Sequence, residues 1–217
     1  MATMWRATFA RLVAPLRFAL HGFQMMAAYV GQMAPSGRIA VAALFQAADE
    51  LRRIHGIAYR MAQLGLGKQE SRGEWQSAPA WQPLRRVVER ALCAYDWGEA
   101  LVALDLCLKP LCEGLFLAEL GRLARQRQDF LLGELLASFD EDGRWHRAWS
   151  GALVQMAVGA RPDNAAVVQD WVGHWFPPAH AAVVAVAELL EGDGQRALAR
   201  AESDTRQWLG SLGLVSP

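Results

Sequence analysis

The sequence predicts an all-α protein. Its 217 residues are dominated by Ala, Leu, Arg, Glu and Gln, which include the strongest helix formers. Turn dipeptides are sparse, and no segment of useful length alternates apolar and polar residues as a half-buried strand does. A chain of this length can also bury a substantial core. We therefore expect a large bundle of helices.

Two long helices are predicted at the start of the chain. The first covers about residues 8–33, with Pro15 near its beginning, and ends at the Ala-Pro-Ser-Gly sequence of residues 34–37. The second covers about residues 38–64 and ends at the Gly-Leu-Gly sequence of residues 65–67. This second helix places polar groups on both of its faces, and its length of roughly 40 Å is typical of a large bundle.

A polar connector is predicted next, over residues 68–83, with ordered turns packed by its two indoles. A third long helix then covers about residues 84–127. Its possible bends lie near residues 96–98 and at Pro110, because glycine and proline are the usual causes of a helix kink.

The rest of the chain is predicted to form shorter helices, separated by glycine and proline punctuation. We expect one domain over residues 1–217, with a core of long helices at about 5–127 and shorter C-terminal helices at about 130–212. These shorter helices cover about residues 130–139, 143–158, 164–176, 179–190 and 195–212.

Charge, cysteine and tryptophan content indicate which kinds of partner and which cellular setting to expect. The 22 basic and 22 acidic residues balance, so neither nucleic acid nor a membrane surface is an expected partner. Cys93, Cys107 and Cys112 are odd in number and are predicted to be small buried thiols of a cytoplasmic protein. A 53% hydrophobic content and nine Trp residues indicate that some of the surface meets a partner protein.

Polar groups inside paired long helices raise the hypothesis of a ferritin-like di-iron carboxylate centre. Such a centre takes its ligands from two Glu-x-x-His pairs and two further glutamates, because residues i and i+3 share a helix face. None of the five histidines has a carboxylate three residues before it. Nucleophile elbows and phosphate-binding glycine loops do not occur either. The sequence therefore predicts no catalytic, cofactor-binding or metal-binding residue in this chain.

Glu50 and Arg53 stand where a di-iron protein could carry Glu-x-x-His, and Glu141 and Arg144 repeat the spacing. Arginine is permanently protonated and cannot bind a metal, but its guanidinium can replace the positive charge of iron beside buried carboxylates. Two interpretations remain open at this point. Each pair is either a salt bridge in place of a metal or an ordinary surface pair.

Asp105, Lys109 and Glu113 follow one another at i, i+4 spacing on the third helix, so neighbours can pair along one face. We interpret them as salt-bridge candidates, in a structural network or an intersubunit contact, with a proton relay as the alternative. A glycine before them lets another helix approach closely, and a neighbouring indole covers apolar surface. The predicted packing or interface residues there are Trp97, Gly98 and Glu99.

Four stretches of the sequence carry a family resemblance, in family order between Trp5 and Trp175. They contain Pro15-Leu16-Arg17-Phe18 with Gln32-Met33-Ala34-Pro35; Ala47-Ala48-Asp49 with Ala58-Tyr59-Arg60; Trp81-Gln82 with Asp96-Trp97-Gly98-Glu99-Ala100; and Trp149-Ser150 with Ala152-Leu153-Val154. Together they resemble the β subunits of bacterial multicomponent, di-iron aromatic monooxygenase hydroxylases of the toluene, benzene and phenol type.

This resemblance implies a ferritin-like, ribonucleotide reductase-like bundle that lacks the metal site. It implies a non-catalytic structural subunit beside an α subunit, whose di-iron centre hydroxylates the substrate with O2 and NADH-derived electrons. It further implies a γ subunit, an α2β2γ2 hydroxylase, a reductase and an effector protein. Members of the family usually carry a longer segment before the counterpart of Trp5, so the chain is expected to be N-terminally truncated. The competing hypotheses are a helical adaptor unrelated to oxygenases and an independent carboxylate metalloenzyme.

Overall fold

The computed structural model describes residues 3–190 and 194–217, and these residues form α-helices with no strand among them. The all-α prediction is confirmed. The helices are α1 (Thr3–Thr8), α2 (Leu16–Met33), α3 (Gly37–Gln63), α4 (Lys68–Ser77), α5 (Gln82–Ala91), α6 (Trp97–Leu101), α7 (Lys109–Gln126), α8 (Phe130–Ala160), α9 (Asn164–Ala187) and α10 (Gly194–Ser211).

Two hairpins of long helices form the centre of the bundle. α2 packs along α3, and α7 packs along α8, each pair joined by a short turn that makes its helices antiparallel. α3 also packs on α8, which joins the two hairpins, while α10 covers α7. The organisation of residues 1–217 as one domain stays a prediction.

Two π-helical segments, Phe9–Val13 and Val102–Leu108, each lie just before a proline. The N–H of Ala14 donates to the carbonyl of Phe9, and the N–H of Lys109 donates to the carbonyl of Leu104, both five residues back. Proline lacks an N–H and its ring crowds the preceding turn of an α-helix. The wider π turns therefore let the helical path continue past Pro15 and Pro110.

The predicted connector at residues 68–83 is wrong in part, because it contains α4 and a 3-10 turn at Pro79–Trp81. Its two indoles do pack the segment: the rings of Trp75 and Trp81 lie 5.9 Å apart, and Trp81 stacks on Phe116. The predicted third helix is also interrupted, since α5 ends at Ala91 and α6 begins only at Trp97.

The predicted division of the C-terminal part into shorter helices is wrong at two places. α8 is continuous through residues 140–142, and its 31 residues make it the longest helix in the described part of the chain. α9 is continuous through Pro177 and Pro178, and buries residues on both sides of them, among them Phe176 and Ala179. Packing of these turns into the core outweighs the loss of the two proline N–H donors.

The uncharged stretch near residues 18–37 forms most of α2, and one face of that helix is buried in the core. Nowhere in the described residues is a helix long and apolar enough to cross a membrane.

Cys107 and Cys112 are buried free thiols, as predicted, whereas Cys93 is exposed at the end of α5 and that part of the prediction is wrong.

Gly114 lets α10 approach α7 closely. A Cβ at Gly114 would lie 2.8 Å from the Cβ of Ala201 and 3.0 Å from its Cα, so backbone would have to move. We expect Gly114→Ala to lower the free energy of unfolding by about 1–3 kcal/mol through overpacking. The measurement is urea denaturation followed by circular dichroism.

The matched control for this prediction is Gly173→Ala, on the exposed face of α9, where a Cβ would have no neighbour within 4 Å. That change should stabilise the chain by about 0.5–1 kcal/mol, because alanine is the better helix former. Equal effects of the two alanines would contradict the close approach of α10.

A buried charge cluster as the candidate functional site

Five ionisable side chains meet inside the bundle, where α3, α7 and α8 face one another. Glu50 and Arg53 lie on α3, Lys109 and Glu113 on α7, and His146 on α8. All five are buried. The spacing of three residues on α3 and of four on α7 directs each pair toward the same side of its helix. The structure therefore brings the predicted salt-bridge residues of two helices together, and adds a histidine to them.

Two cations and two carboxylates form the centre of this charge cluster. Nη1 of Arg53 donates to Oε1 of Glu50 at 3.1 Å and to Oε1 of Glu113 at 2.6 Å. Nζ of Lys109 donates to the same two oxygens, in close contact with Glu50 and at 2.9 Å from Glu113. Arg147 reaches the other oxygen of Glu113 at 3.1 Å. Charge is thus balanced within the centre.

Burial and neighbouring charge act in opposite directions on Glu113. Burial raises the pKa of its carboxyl, but the charges of Lys109 and Arg53 and their hydrogen bonds outweigh burial. The pKa of Glu113 is therefore held well below its usual range. Burial together with the same two cations lowers the pKa of His146 to about 2, so its imidazole is neutral at neutral pH.

Asp105, the third member of the predicted triad, lies in the π-helical segment. In the described part of the chain Lys109 forms its ion pairs with Glu50 and Glu113, although its charge also acts on Asp105. Oδ1 of Asp105 accepts a hydrogen bond from Nε2 of Gln46 at 2.6 Å, and Gln46 in turn accepts one from the indole of Trp149 at 2.9 Å. The π turn changes the helical register before Lys109, so i, i+4 alignment does not hold there. Burial raises the pKa of Asp105 to about 7.

The residues of this cluster do not fit a di-iron centre. Arg53 stands where the first Glu-x-x-His pair needs its histidine, and Gly143 stands where a second pair ending at His146 needs its carboxylate. A Cβ at Gly143 would lie 2.5 Å from Oε2 of Glu113, so the glycine makes room for that carboxylate. The cations of Arg53 and Lys109 also occupy the space between the carboxylates.

His146 is the residue of the cluster that sequence reasoning missed. Its Nε2 lies 3.2 Å from Oδ2 of Asp49, and its Nδ1 lies 4.0 Å from Oε1 of Glu50. The spacing Gly143-x-x-His146, on a helix that faces Glu50, could have indicated this histidine, but a glycine at this position in the sequence predicts the start of a helix. With α8 continuous, the glycine and the histidine lie on one inward face.

A second buried carboxylate, Asp129, was also missed. It accepts hydrogen bonds from the indole of Trp5 at 2.9 Å, from Nε of Arg60 at 3.1 Å and from the N–H of Leu132 at 3.2 Å. Asp129 thereby caps the start of α8 and fixes the first helical turns of the chain to the end of α3. Its position in the sequence, between two predicted helices, could have indicated a residue that caps a helix.

The predicted packing residues lie away from the charge cluster. Asp96 caps α6 by accepting from the N–H of Gly98 at 2.7 Å, and a Cβ at Gly98 would meet the ring of Trp171 at 3.2 Å. Glu99 accepts from the indole of Trp175 at 3.0 Å, and Trp97 packs against a small core group that includes Val30 and Leu101. The neighbour of Gly98 is thus an indole of α9, and an interface role for these residues stays a prediction.

Glu141 and Arg144 form the other predicted pair, and they differ from Glu50 and Arg53 in burial. Both are exposed, and their closest charged atoms are 3.8 Å apart. Arg144 also contacts Asp140 at 2.9 Å on the same surface. This is an ordinary surface pair, which in general contributes little to stability.

Comparisons with known proteins find relatives over most of this chain. The sequence profile of the methane/phenol/alkene hydroxylases matches residues 1–161. Subunit β of the hydroxylase component of the toluene-4-monooxygenase system of Ectopseudomonas mendocina is 40% identical over 196 residues, which are 87% of this chain and 59% of that protein. The chain therefore spans about three fifths of the length of that relative.

Two solved structures share the fold. Toluene 4-monooxygenase with toluene bound aligns with a TM-score of 0.83 and 39% identity, over 88% of this chain and 65% of the solved chain. Phenol hydroxylase from Pseudomonas sp. OX1 aligns with a TM-score of 0.89 and 22% identity, over 100% of this chain and 66% of the solved chain. The predicted ferritin-like bundle is confirmed.

Arg53→Ala is expected to lower the free energy of unfolding by about 3–5 kcal/mol, because it leaves two buried carboxylates short of a cation. The control is Arg144→Ala, which removes an exposed guanidinium from the same kind of i, i+3 pair and should change the melting temperature little. Thermal melts of both variants provide the measurement. An Arg53→Ala chain that melts like the unmodified protein would show that the cluster is not buried.

Asp105→Asn is expected to change the pH dependence of stability. Because the folded pKa of about 7 lies above the ordinary value of 3.8, the folded chain keeps a proton that the unfolded chain loses. The native chain therefore loses stability as pH rises between these two values, at up to about 1.4 kcal/mol per pH unit. The asparagine variant should not show this loss, so its stability relative to the native chain should rise over the same interval.

The control for the pH experiment is Asp140→Asn, which removes an exposed carboxylate from α8. Urea denaturation at a series of pH values measures both variants. The expectation fails if the difference between Asp105→Asn and the native chain does not change from pH about 4 to about 7.

Proposed function

Because the chain belongs to the methane/phenol/alkene hydroxylase family, we propose that it is a structural β subunit of a multicomponent aromatic or hydrocarbon monooxygenase hydroxylase. In this role it has no active site of its own. It supports a partner α subunit, whose di-iron centre hydroxylates the substrate with O2 and electrons derived from NADH.

The observation that carries this proposal is the unusual distribution of polar and apolar residues around α3. Its inward face buries Gln46, Glu50 and Arg53 beside Ala43, Ala47, Ile57 and Met61. Its outward face presents large apolar side chains to the surface. We call these residues the α3 stripe, and they are Val41, Leu44, Phe45, Leu51 and Tyr59.

The α3 stripe follows helical spacing, so its members lie along one side of the helix. Phe45 is 64% exposed and Tyr59 is 61% exposed, which is unusual for aromatic side chains of a monomeric protein. The polar residues exposed on this side are Arg52 and His55 within the stripe and Arg38 and Gln63 near the helix ends, while the carboxylate of Asp49 lies part-buried at its margin. A contiguous apolar surface of this kind favours coverage by another protein chain. The partner we propose for it is the α subunit.

The names of the relatives support the wider assembly. The relative from Ectopseudomonas mendocina is a subunit of the hydroxylase component of a toluene-4-monooxygenase system. We extend this to an α2β2γ2 hydroxylase served by a reductase and an effector protein, with an aromatic hydrocarbon as the substrate class. The three free cysteines favour a reducing, cytoplasmic setting.

The proposed interface is tested by Phe45→Glu, which places a carboxylate in the middle of the α3 stripe. Burying that charge against a partner should weaken association by at least about 2 kcal/mol, or roughly 30-fold in Kd. The measurement is copurification of a tagged chain with the coexpressed α and γ subunits of its own system, followed by size-exclusion chromatography.

The matched control is Phe130→Glu, because Phe130 at the start of α8 is also 64% exposed and lies outside the α3 stripe. It should leave copurification unchanged. The native chain expressed alone should associate or aggregate, and coexpression should relieve this. A monodisperse lone chain that forms no complex, or a Phe45→Glu chain that assembles like the native one, would overturn the proposal.

A further inference from the structure

Three side chains of the charge cluster have the composition and placement of a metal ligand set. One carboxylate oxygen of Glu50, one of Glu113 and one ring nitrogen of His146 all lie within 4.8 Å of one another, and all three residues are buried. Ligand bonds of about 2.0–2.2 Å to Zn²⁺ need donor atoms that are somewhat closer than this, so binding requires the three side chains to move toward one another.

Two of these ligand groups each have a buried polar atom without a hydrogen-bond partner, as expected if a ligand is missing there. Oε2 of Glu50 and Nδ1 of His146 are buried atoms with no hydrogen-bond partner in the described part of the chain. Glu50 is completely inaccessible to solvent and His146 is 1% exposed, so water does not serve them from the surface. Buried polar atoms of this kind are rare, because each one loses its hydration without compensation.

The space between the two carboxylates is occupied by positive charge. Nζ of Lys109 contacts Oε1 of both glutamates, and Nη1 of Arg53 contacts the same two oxygens. The guanidinium is also held by the carbonyl of Phe139, which anchors it to α8. Two single positive charges therefore lie where one divalent ion between Glu50 and Glu113 would lie.

The geometry points to a closed metal site: Lys109 and Arg53 act as built-in cations in a site whose ligands are Glu50, Glu113 and His146, and replacing both with uncharged groups makes the site bind one divalent metal ion. The charge arithmetic is direct. The two substitutions remove two positive charges from between the carboxylates, and one divalent ion returns two. This inference does not rest on the partner role proposed above.

The built-in cations also explain how the native chain excludes metal at this position. An incoming divalent ion has to approach an ammonium and a guanidinium within a few ångströms, at a low effective dielectric, where repulsion between like charges is strong. Nε2 of His146 faces Oδ2 of Asp49 at 3.2 Å, so Nδ1, which has no hydrogen-bond partner in the described part of the chain, is the ring atom left to meet an ion.

The chemical class of the ion follows from the ligands. One imidazole and two carboxylates suit Zn²⁺, Co²⁺, Mn²⁺ or Fe²⁺, whereas a soft ion such as Cu⁺ prefers sulfur. Cys112 lies beside Glu113 in the sequence, but burial raises the pKa of its thiol far above the usual range, so it does not compete as a thiolate. Co²⁺ is the most informative probe, since its visible absorption reports the number and type of ligands.

The test uses the full chain carrying Arg53→Leu and Lys109→Ala. The first change replaces the guanidinium with an uncharged side chain that is no metal ligand, and the second removes the ammonium. Equilibrium dialysis with Co²⁺ should show saturable uptake of about one ion per chain, with visible absorption of a nitrogen- and oxygen-ligated site. The native chain and Lys109→Arg, which keeps the positive charge, should show no such uptake.

Adding His146→Ala to the double variant provides the matched control, because it removes one proposed ligand and leaves both cation substitutions in place. Uptake should weaken by at least roughly 10–100-fold, the range that loss of a supporting group alone produces. The four other histidines of the chain are unchanged in this triple variant. Binding at those histidines would therefore be equal in the double and triple variants.

Folding is followed in the same experiment, since without metal the double variant leaves Glu50 without the two cations that contact it and Glu113 with Arg147 alone. Its melting temperature should be lower than that of the native chain without metal and should rise with Co²⁺ or Zn²⁺ concentration, because a ligand that binds only the folded state stabilises it. If the metal-free variant is unfolded, metal should restore helical circular dichroism. The inference is overturned if neither uptake nor folding responds to metal, or if His146→Ala makes no difference to either.

Discussion

Two carboxylates, Glu50 and Glu113, lie inside the bundle, and the need to neutralise them governs how the central helices pack. An unpaired charge in the interior is far more costly than a paired one, although a pair itself is often no more stabilising than apolar residues of the same size. Each of the two helices pairs a carboxylate with a cation of its own, and the cations of Arg53 and Lys109 each also contact the carboxylate of the other helix. α3 and α7 must therefore meet in one register, and the contact of Arg53 with the carbonyl of Phe139 brings α8 into the same arrangement.

Much of this could be predicted from the sequence where the interaction is local. Glu50 with Arg53, and Lys109 with Glu113, are pairs within one helix, so their spacing alone indicated them. The contacts between helices could not be found in this way. Gly143 resembles a helix breaker in the sequence, and only the position of Glu113 on a different helix shows that it is a space for a carboxylate.

Several prolines, like Gly143, predict helix interruptions that the structure does not show. A proline inside a helix costs a hydrogen bond and predicts an interruption. In this fold the cost is absorbed by neighbouring structure: the π-helical segments before Pro15 and Pro110 accommodate two of them, and burial on both sides of Pro177 and Pro178 maintains α9. The carboxylate of Asp105, in the π-helical segment before Pro110, accepts its hydrogen bond from Gln46 of α3, a contact that local spacing could not indicate.

The charge cluster and the apolar surface of α3 are consequences of one another. A helix has a limited circumference, and α3 uses its inward side for Gln46, Glu50 and Arg53, which need partners that only the interior of this bundle provides. Large apolar residues of the same helix are then left on the outward side, as Phe45 and Tyr59 are. In an isolated chain this arrangement lowers the free energy gained by hydrophobic burial, since charged groups occupy the core and aromatic groups contact water. If another chain covers the outward side, the exposed aromatic groups are buried as well and that free energy is recovered. The distribution of residues on α3 is therefore the one that the proposed interface with an α subunit requires.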